Sequence, residues 1–146
     1  MILIRNFEHG LQFLAYFLLV TKGQDMGAYF IGRRYGKRPF LKRVSPNKSV
    51  EGALGGIATS ILVSLLAGAL LTNLTFFHRT MLGLILGVIS QLGDLFESLI
   101  KRDSGVKDSS DLIPGMGGVL DVIDSLIFAA PVFYFYVTMV LPNLRY

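Results

Sequence analysis

Four apolar runs separated by polar and basic stretches set the plan of this chain. A bilayer core needs ~20 consecutive apolar residues in a helix. The first run, Leu11 to Ile31, has that length but is interrupted by Lys22, Gln24 and Asp25. The second, Ala53 to Leu71, carries no charge and is the clearest span. The third, Met81 to Ile100, holds Asp94 and Glu97 near its end, and the fourth, Val119 to Leu141, holds Asp121 and Asp124 near its start. Thr72 to His78 reads as a short turn between the second and third runs. The pattern predicts an all-α, polytopic integral membrane protein with about four transmembrane helices, forming a single membrane domain over residues 1–146.

Composition agrees with the pattern. The chain is 52% hydrophobic, above the ~45–50% of ordinary soluble domains even when glycine is counted there. No cysteine is present, which excludes disulfides, thiolate metal sites and a cysteine nucleophile. No stretch combines a basic start, a short apolar core and a small-residue cleavage site, so no cleavable signal peptide is expected. The net charge of +4 is concentrated in two places. Arg33, Arg34, Lys37, Arg38, Lys42, Arg43 and Lys48 lie between the first two runs; Lys101, Arg102 and Lys107 lie between the last two. With four spans these loops share a side, and they hold ten of the fourteen basic residues. The positive-inside rule makes that side cytoplasmic and places both termini opposite. Basic residues placed between membrane runs fit orientation and anionic headgroups better than nucleic acid.

The chemistry is concentrated in Ser98 to Asp124, SLIKRDSGVKDSSDLIPGMGGVLDVID. Cations hold phosphates and carboxylates hold divalent metals, so their mixture at a hydrophobic boundary points to metal-assisted chemistry on a phosphate. Asp94, Glu97, Ser98 and Lys101 fall at i, i+3, i+4 and i+7, one stripe of a helix. Asp121 and Asp124 also share a face. These acids have a plainer reading: near helix ends they reach water or act as caps. Pro114, Gly115, Gly117 and Gly118 are either a tight turn or a place where backbone approaches a phosphate. The first basic loop ends in Ser45-Pro46-Asn47-Lys48-Ser49-Val50-Glu51-Gly52, where Ser49 is a natural N-cap. Asp25 is an acid embedded in the apolar run before it. Oxygen ligands without cysteine favour Mg²⁺ over Zn²⁺. His9 and His78 are isolated and receive no role, and neither a Ser/His/Asp triad nor a P-loop is present.

Two motifs together resemble the phosphatidate cytidylyltransferases (CDP-diacylglycerol synthases). One is carried by Ser98, Lys101, Arg102, Lys107, Asp108, Pro114, Gly117, Gly118, Asp121 and Asp124. The other is Asp25, Gly27, Ala28 and Tyr29, then a basic loop, then Ser45, Pro46, Asn47, Lys48, Ser49, Glu51 and Gly52. The chain departs from the family pattern at Met116, where histidine is usual, and at Val122, where arginine is usual. Family members are also longer, with further helices before the first motif. The resemblance is therefore to their C-terminal catalytic half.

That resemblance implies nucleotidyl transfer from CTP to phosphatidate, giving CDP-diacylglycerol and pyrophosphate. It implies catalytic roles for Lys101, Arg102, Lys107 and Asp108, and substrate binding by Ser45, Asn47, Lys48, Ser98, Gly117 and Gly118. Asp94, Asp121 and Asp124 become the metal ligands, for Mg²⁺ or for Mg²⁺ with a second cation. The expected partners are CTP, phosphatidate and membrane lipids, with a second copy of the chain or a missing N-terminal half and no nucleic acid. The expected location is a bacterial inner membrane, with the site facing the cytoplasm. The alternatives are a non-catalytic fragment, an ion-pathway or transporter subunit, and a lipid kinase. A transporter would place its acids nearer the membrane midplane.

Overall fold

The computed structural model describes residues 1–5, 10–41, 45–70, 74–103 and 119–140. Among the described residues, five α-helices, one hairpin and a 3-10 turn at Gly68–Leu70 follow in order. Helix α1 is the single turn Ile2–Arg5; α2 spans Gly10–Tyr35, α3 Val50–Ala67, α4 Phe76–Asp103 and α5 Val119–Val140. Strands β1 (Pro39–Leu41) and β2 (Ser45–Ser49) join α2 to α3 as an antiparallel pair. The four apolar runs thus become α2 to α5. Three local differences are visible. The hairpin adds strand to the expected all-helical chain. Arg33 and Arg34 belong to the last turn of α2 rather than to a loop, where cations favour the helix dipole. Helix α4 begins inside the expected turn, at Phe76.

Helix α3 is the centre of the bundle. Its start is fixed by Ser49, whose extended backbone (φ −110°, ψ 154°) and Oγ, accepting from the Gly52 N–H at 3.1 Å, form an N-cap. Its buried face is built of small residues, Gly52, Ala53, Gly56, Ser60, Ser64 and Ala67. Backbones can therefore approach closely on both sides. A Cβ on Gly27 of α2 would lie 2.3 Å from Thr59 Oγ1, and one on Gly83 of α4 would lie 2.7 Å from the Ile61 Cα. Serines tie the helices across these contacts. Ser60 Oγ donates to the Gly83 carbonyl at 2.8 Å. Ser64 Oγ bonds the Arg79 carbonyl and the Tyr16 hydroxyl.

Away from that seam, the core lies between α2, α4 and α5. Phe13, Tyr16, Phe17 and Val20 pack with Leu82 and Leu86 and with Leu126, Ala129, Phe133 and Val137. Phe17 and Phe133 meet at 5.3 Å between ring centroids. Pro131 sits inside α5, which membrane helices tolerate where neighbours satisfy the freed carbonyl. His78 Nδ1 is 3.0 Å from the Tyr136 hydroxyl, a link between α4 and α5.

Among the described residues, α3 and α4 are long and apolar enough to cross a membrane, with mean hydropathies of 1.7 and 1.5. Ser125–Val140 of α5 is a shorter apolar helix. The core helix of a water-soluble protein would hide such a surface. Here only 33% and 39% of the apolar windows are buried, and Leu54, Leu62 and Leu66 of α3 face outward. Those outward leucines are consistent with an integral membrane protein.

Candidate functional site

A cavity of about 640 Å³ opens where α2, the hairpin, α3 and α4 meet. Helix α2 contributes Asp25, Tyr29 and Arg33, one per turn on a single face, with Gln24 beside them. Strand β2 supplies Lys48, α3 begins at the wall with Gly52 and Ala53, and α4 supplies Gln91 and Asp94. The hairpin is what delivers Lys48. It is held by the Val50 N–H donating to the Arg38 carbonyl at 2.9 Å. Glu51 Oε2 holds it too, accepting the Lys37 and Arg38 N–H groups at 3.0 and 3.2 Å. Glu51 is thereby a structural clamp between α2 and α3.

Charges of both signs line the cavity. Lys48 and Asp94 form an ion pair between β2 and α4; the side chains are 28% and 38% exposed, but the Lys48 Nζ itself is buried, so solvent reaches the pair from the Asp94 side. Arg33 Nη1 donates to the Tyr29 hydroxyl at 2.9 Å, and its guanidinium lies 6.0 Å from that ring's centroid. Asp25 Oδ2 receives Lys22 Nζ at 3.2 Å and Ser125 Oγ at 3.3 Å. These contacts tie α5 to α2 at the Asp25 corner, and Ser125 follows directly on Asp124. On α4 beyond the cavity, Lys101 pairs with Glu97 at 2.9 Å.

The sequence-predicted residues are distributed accordingly. Lys48 and Asp94 are brought together on the cavity wall. Ser98, Lys101 and Arg102 follow Asp94 along α4. Asp121 and Asp124 occupy the first turns of α5, and Ser45 and Asn47 lie on β2. Lys107, Asp108, Met116, Gly117 and Gly118 lie outside the described residues, as do His9, Lys42 and Arg43. Gln24 was visible in the sequence only as an interruption of the first apolar run, and Gln91 carried no signal, because a neutral amide leaves no mark in a charge pattern. The Asp25, Tyr29, Arg33 spacing was a usable signal, since i, i+4, i+8 defines one helix face.

Among the described residues, no three acidic or histidine side chains cluster to hold a metal. The donors on the wall are nonetheless of the kind a hard cation takes. Asp25 and Asp94 supply carboxylate oxygens, and Gln24, 2% exposed, leaves its carbonyl Oε1 without a partner. An all-oxygen set of this kind suits Mg²⁺. A second hollow, apolar and of about 550 Å³, runs along α5 past Leu126, Ile127, Ala130, Pro131 and Tyr134.

A bundle of apolar helices with a mixed-charge cavity at its basic end is consistent with the class of integral membrane proteins. The family model described as the cytidylyltransferase family matches residues 1–140, and the chain belongs to that family. It is 50% identical over 134 residues to a phosphatidate cytidylyltransferase of Haemophilus influenzae, covering 88% of this chain and 46% of that protein. A phosphatidate cytidylyltransferase of Synechocystis is 45% identical over 142 residues, 96% of this chain and 48% of its own length. An Escherichia coli protein named uncharacterized protein YnbB is 43% identical over 132 residues, 90% of this chain and 44% of its own. The chain spans about half the length of the curated relatives it matches.

Proposed function

We propose that this chain forms the catalytic part of a CTP:phosphatidate cytidylyltransferase. The observation that carries the reading is the cavity, where Arg33 and Lys48 face Asp25 and Asp94 at the end of apolar helices. Its family membership and its relatives named phosphatidate cytidylyltransferase support the choice of substrates. A phosphate oxygen of phosphatidate attacks the α-phosphorus of CTP, the bond to the β-phosphate oxygen breaks, and pyrophosphate leaves in line. Such a transfer needs positioning and charge neutralisation more than covalent help. Arg33 and Lys48 hold phosphate oxygens from the cavity wall. Lys101, Arg102 and Lys107 add cations, with a catalytic role for Asp108, and Ser45, Asn47, Ser98, Gly117 and Gly118 serve substrate binding. Asp94, Asp121 and Asp124 would hold Mg²⁺, which would supply further neutralisation of the leaving group. The apolar hollow along α5 offers an acyl chain a path beside the lipid-facing surface.

The proposal extends to placement. Four spans with both basic segments cytoplasmic put the cavity where soluble CTP meets membrane-bound phosphatidate. A bacterial inner membrane is the setting in which that orientation applies. The active form is a homo-oligomer or a pairing with the remaining half of the longer relatives. The test is extraction of CDP-diacylglycerol after incubation with labelled CTP and phosphatidate. It is run on the chain alone and with the N-terminal half of the Haemophilus relative. Mg²⁺-dependent product in either arm is expected; its absence from both sinks the reading. Undiminished product in excess chelator would remove the metal from the scheme.

A further inference from the structure

The Lys48–Asp94 ion pair occupies the cavity with charges that the proposed substrates also need. Lys48 comes from β2 and Asp94 from α4, so the pair bridges the cavity wall between two elements. A polyphosphate approaching Lys48 meets a cation already neutralised, with the Asp94 carboxylate beside it repelling like charge. A divalent cation approaching Asp94 meets a carboxylate already neutralised by an ammonium group.

We propose that the Lys48–Asp94 pair is a placeholder exchanged only when nucleotide and cation arrive together. This deepens the reading of the cavity as a nucleotide site and rests on it. A nucleotide alone takes Lys48 and leaves Asp94 unpaired against phosphate. A cation alone takes Asp94 and leaves Lys48 unpaired. The nucleotide–cation complex gives Lys48 a phosphate and Asp94 a metal, so each charge that loses a partner gains one. Nucleotide and cation therefore bind with positive linkage, each raising the affinity for the other by the same factor. The site selects the metal complex over free nucleotide before any chemistry occurs.

Calorimetric titration of the purified full chain tests this without phosphatidate, so no turnover intervenes. CTP should bind wild type at least about tenfold more tightly with Mg²⁺ than with EDTA, one step of ~1.4 kcal/mol. Asp94→Asn frees Lys48 and removes the repulsion, so metal-free CTP should bind about fivefold more tightly than to wild type. That is the scale of a partly exposed pair, up to ~1 kcal/mol. The same variant should lose most of the Mg²⁺ enhancement. Lys48→Ala is the independent arm. With Asp94 released, Mn²⁺ followed by its paramagnetic resonance signal should bind about fivefold more tightly in the absence of nucleotide. That gain should vanish in the double variant. Unchanged or weaker metal-free CTP binding to folded Asp94→Asn overturns the proposal, as does independent binding of Mg²⁺ and CTP to wild type. Should Asp94→Asn fail to fold, a Lys48→Ala variant with no gain in Mn²⁺ affinity overturns it alone. Linked binding without CDP-diacylglycerol formation would leave the exchange standing and remove the reaction; no CTP binding under any condition removes the exchange.

Discussion

At the scale of single residues, two kinds of residue matter most, the glycines that let helices touch and the serines that bond across the touch. Gly27 lies against Thr59, where even one methyl group has no room. Gly27→Ala should therefore force α2 and α3 apart and cost about 1–3 kcal/mol, read as a lower unfolding midpoint in mild detergent. Thr59→Gly should restore much of the loss in the double variant, which distinguishes crowding from helix propensity. Ser64 serves both Tyr16 and the Arg79 carbonyl. Ser64→Ala leaves a buried tyrosine hydroxyl without that partner and should cost about 1–3 kcal/mol by the same measurement. Ser64 lies away from the cavity, so Ser64→Ala should leave CTP affinity unchanged, whereas Gly27→Ala separates α2 and α3, which both wall the cavity, and should weaken CTP binding; unchanged binding in a destabilised Gly27→Ala would mean that the seam does not shape the site.

At the scale of elements, the hairpin decides where Lys48 stands. Glu51 holds it through two backbone N–H groups, and Ser49 caps the helix that follows. Glu51→Ala should loosen the hairpin and raise KM for CTP several-fold while the apolar bundle keeps its unfolding midpoint. An equal fall in stability would show that Glu51 supports the whole fold instead. This element was also the least legible in the sequence. Pro39 to Leu41 is too short for alternation, and Pro46 and Asn47 are residues that strands disfavour. The hairpin comes from chain geometry, because the end of α2 must turn back into the start of α3. By contrast, the third apolar run, Met81 to Ile100, lies wholly within α4, and Val119 to Leu141 is nearly coextensive with α5. Long apolar runs leave the backbone few ways to bury its hydrogen bonds, so they are legible. Lys48 and Asp94 were legible one at a time from motif and spacing. Their ion pair was not, since it depends on how β2 approaches α4.

At the scale of the whole molecule, the basic residues of the α2 end and hairpin and those at the end of α4 should share one side of the membrane. Because the chain lacks cysteine, single cysteines at Lys37 and at Arg102 can be labelled without background. Both should react with an impermeant reagent only from the cytoplasmic face, and one at Thr75 only from the other. Labelling of Lys37 and Arg102 positions from opposite faces would exclude the four-span arrangement. The seam along α3 has a further consequence for how the bundle comes apart. Contacts made of glycine, alanine and serine expel little from a lipid environment and depend on fit and dispersion instead. Lateral pressure and acyl-chain order in the surrounding bilayer act on such a joint directly, so the lipid that holds this bundle together is of the same kind as the lipid it is proposed to consume.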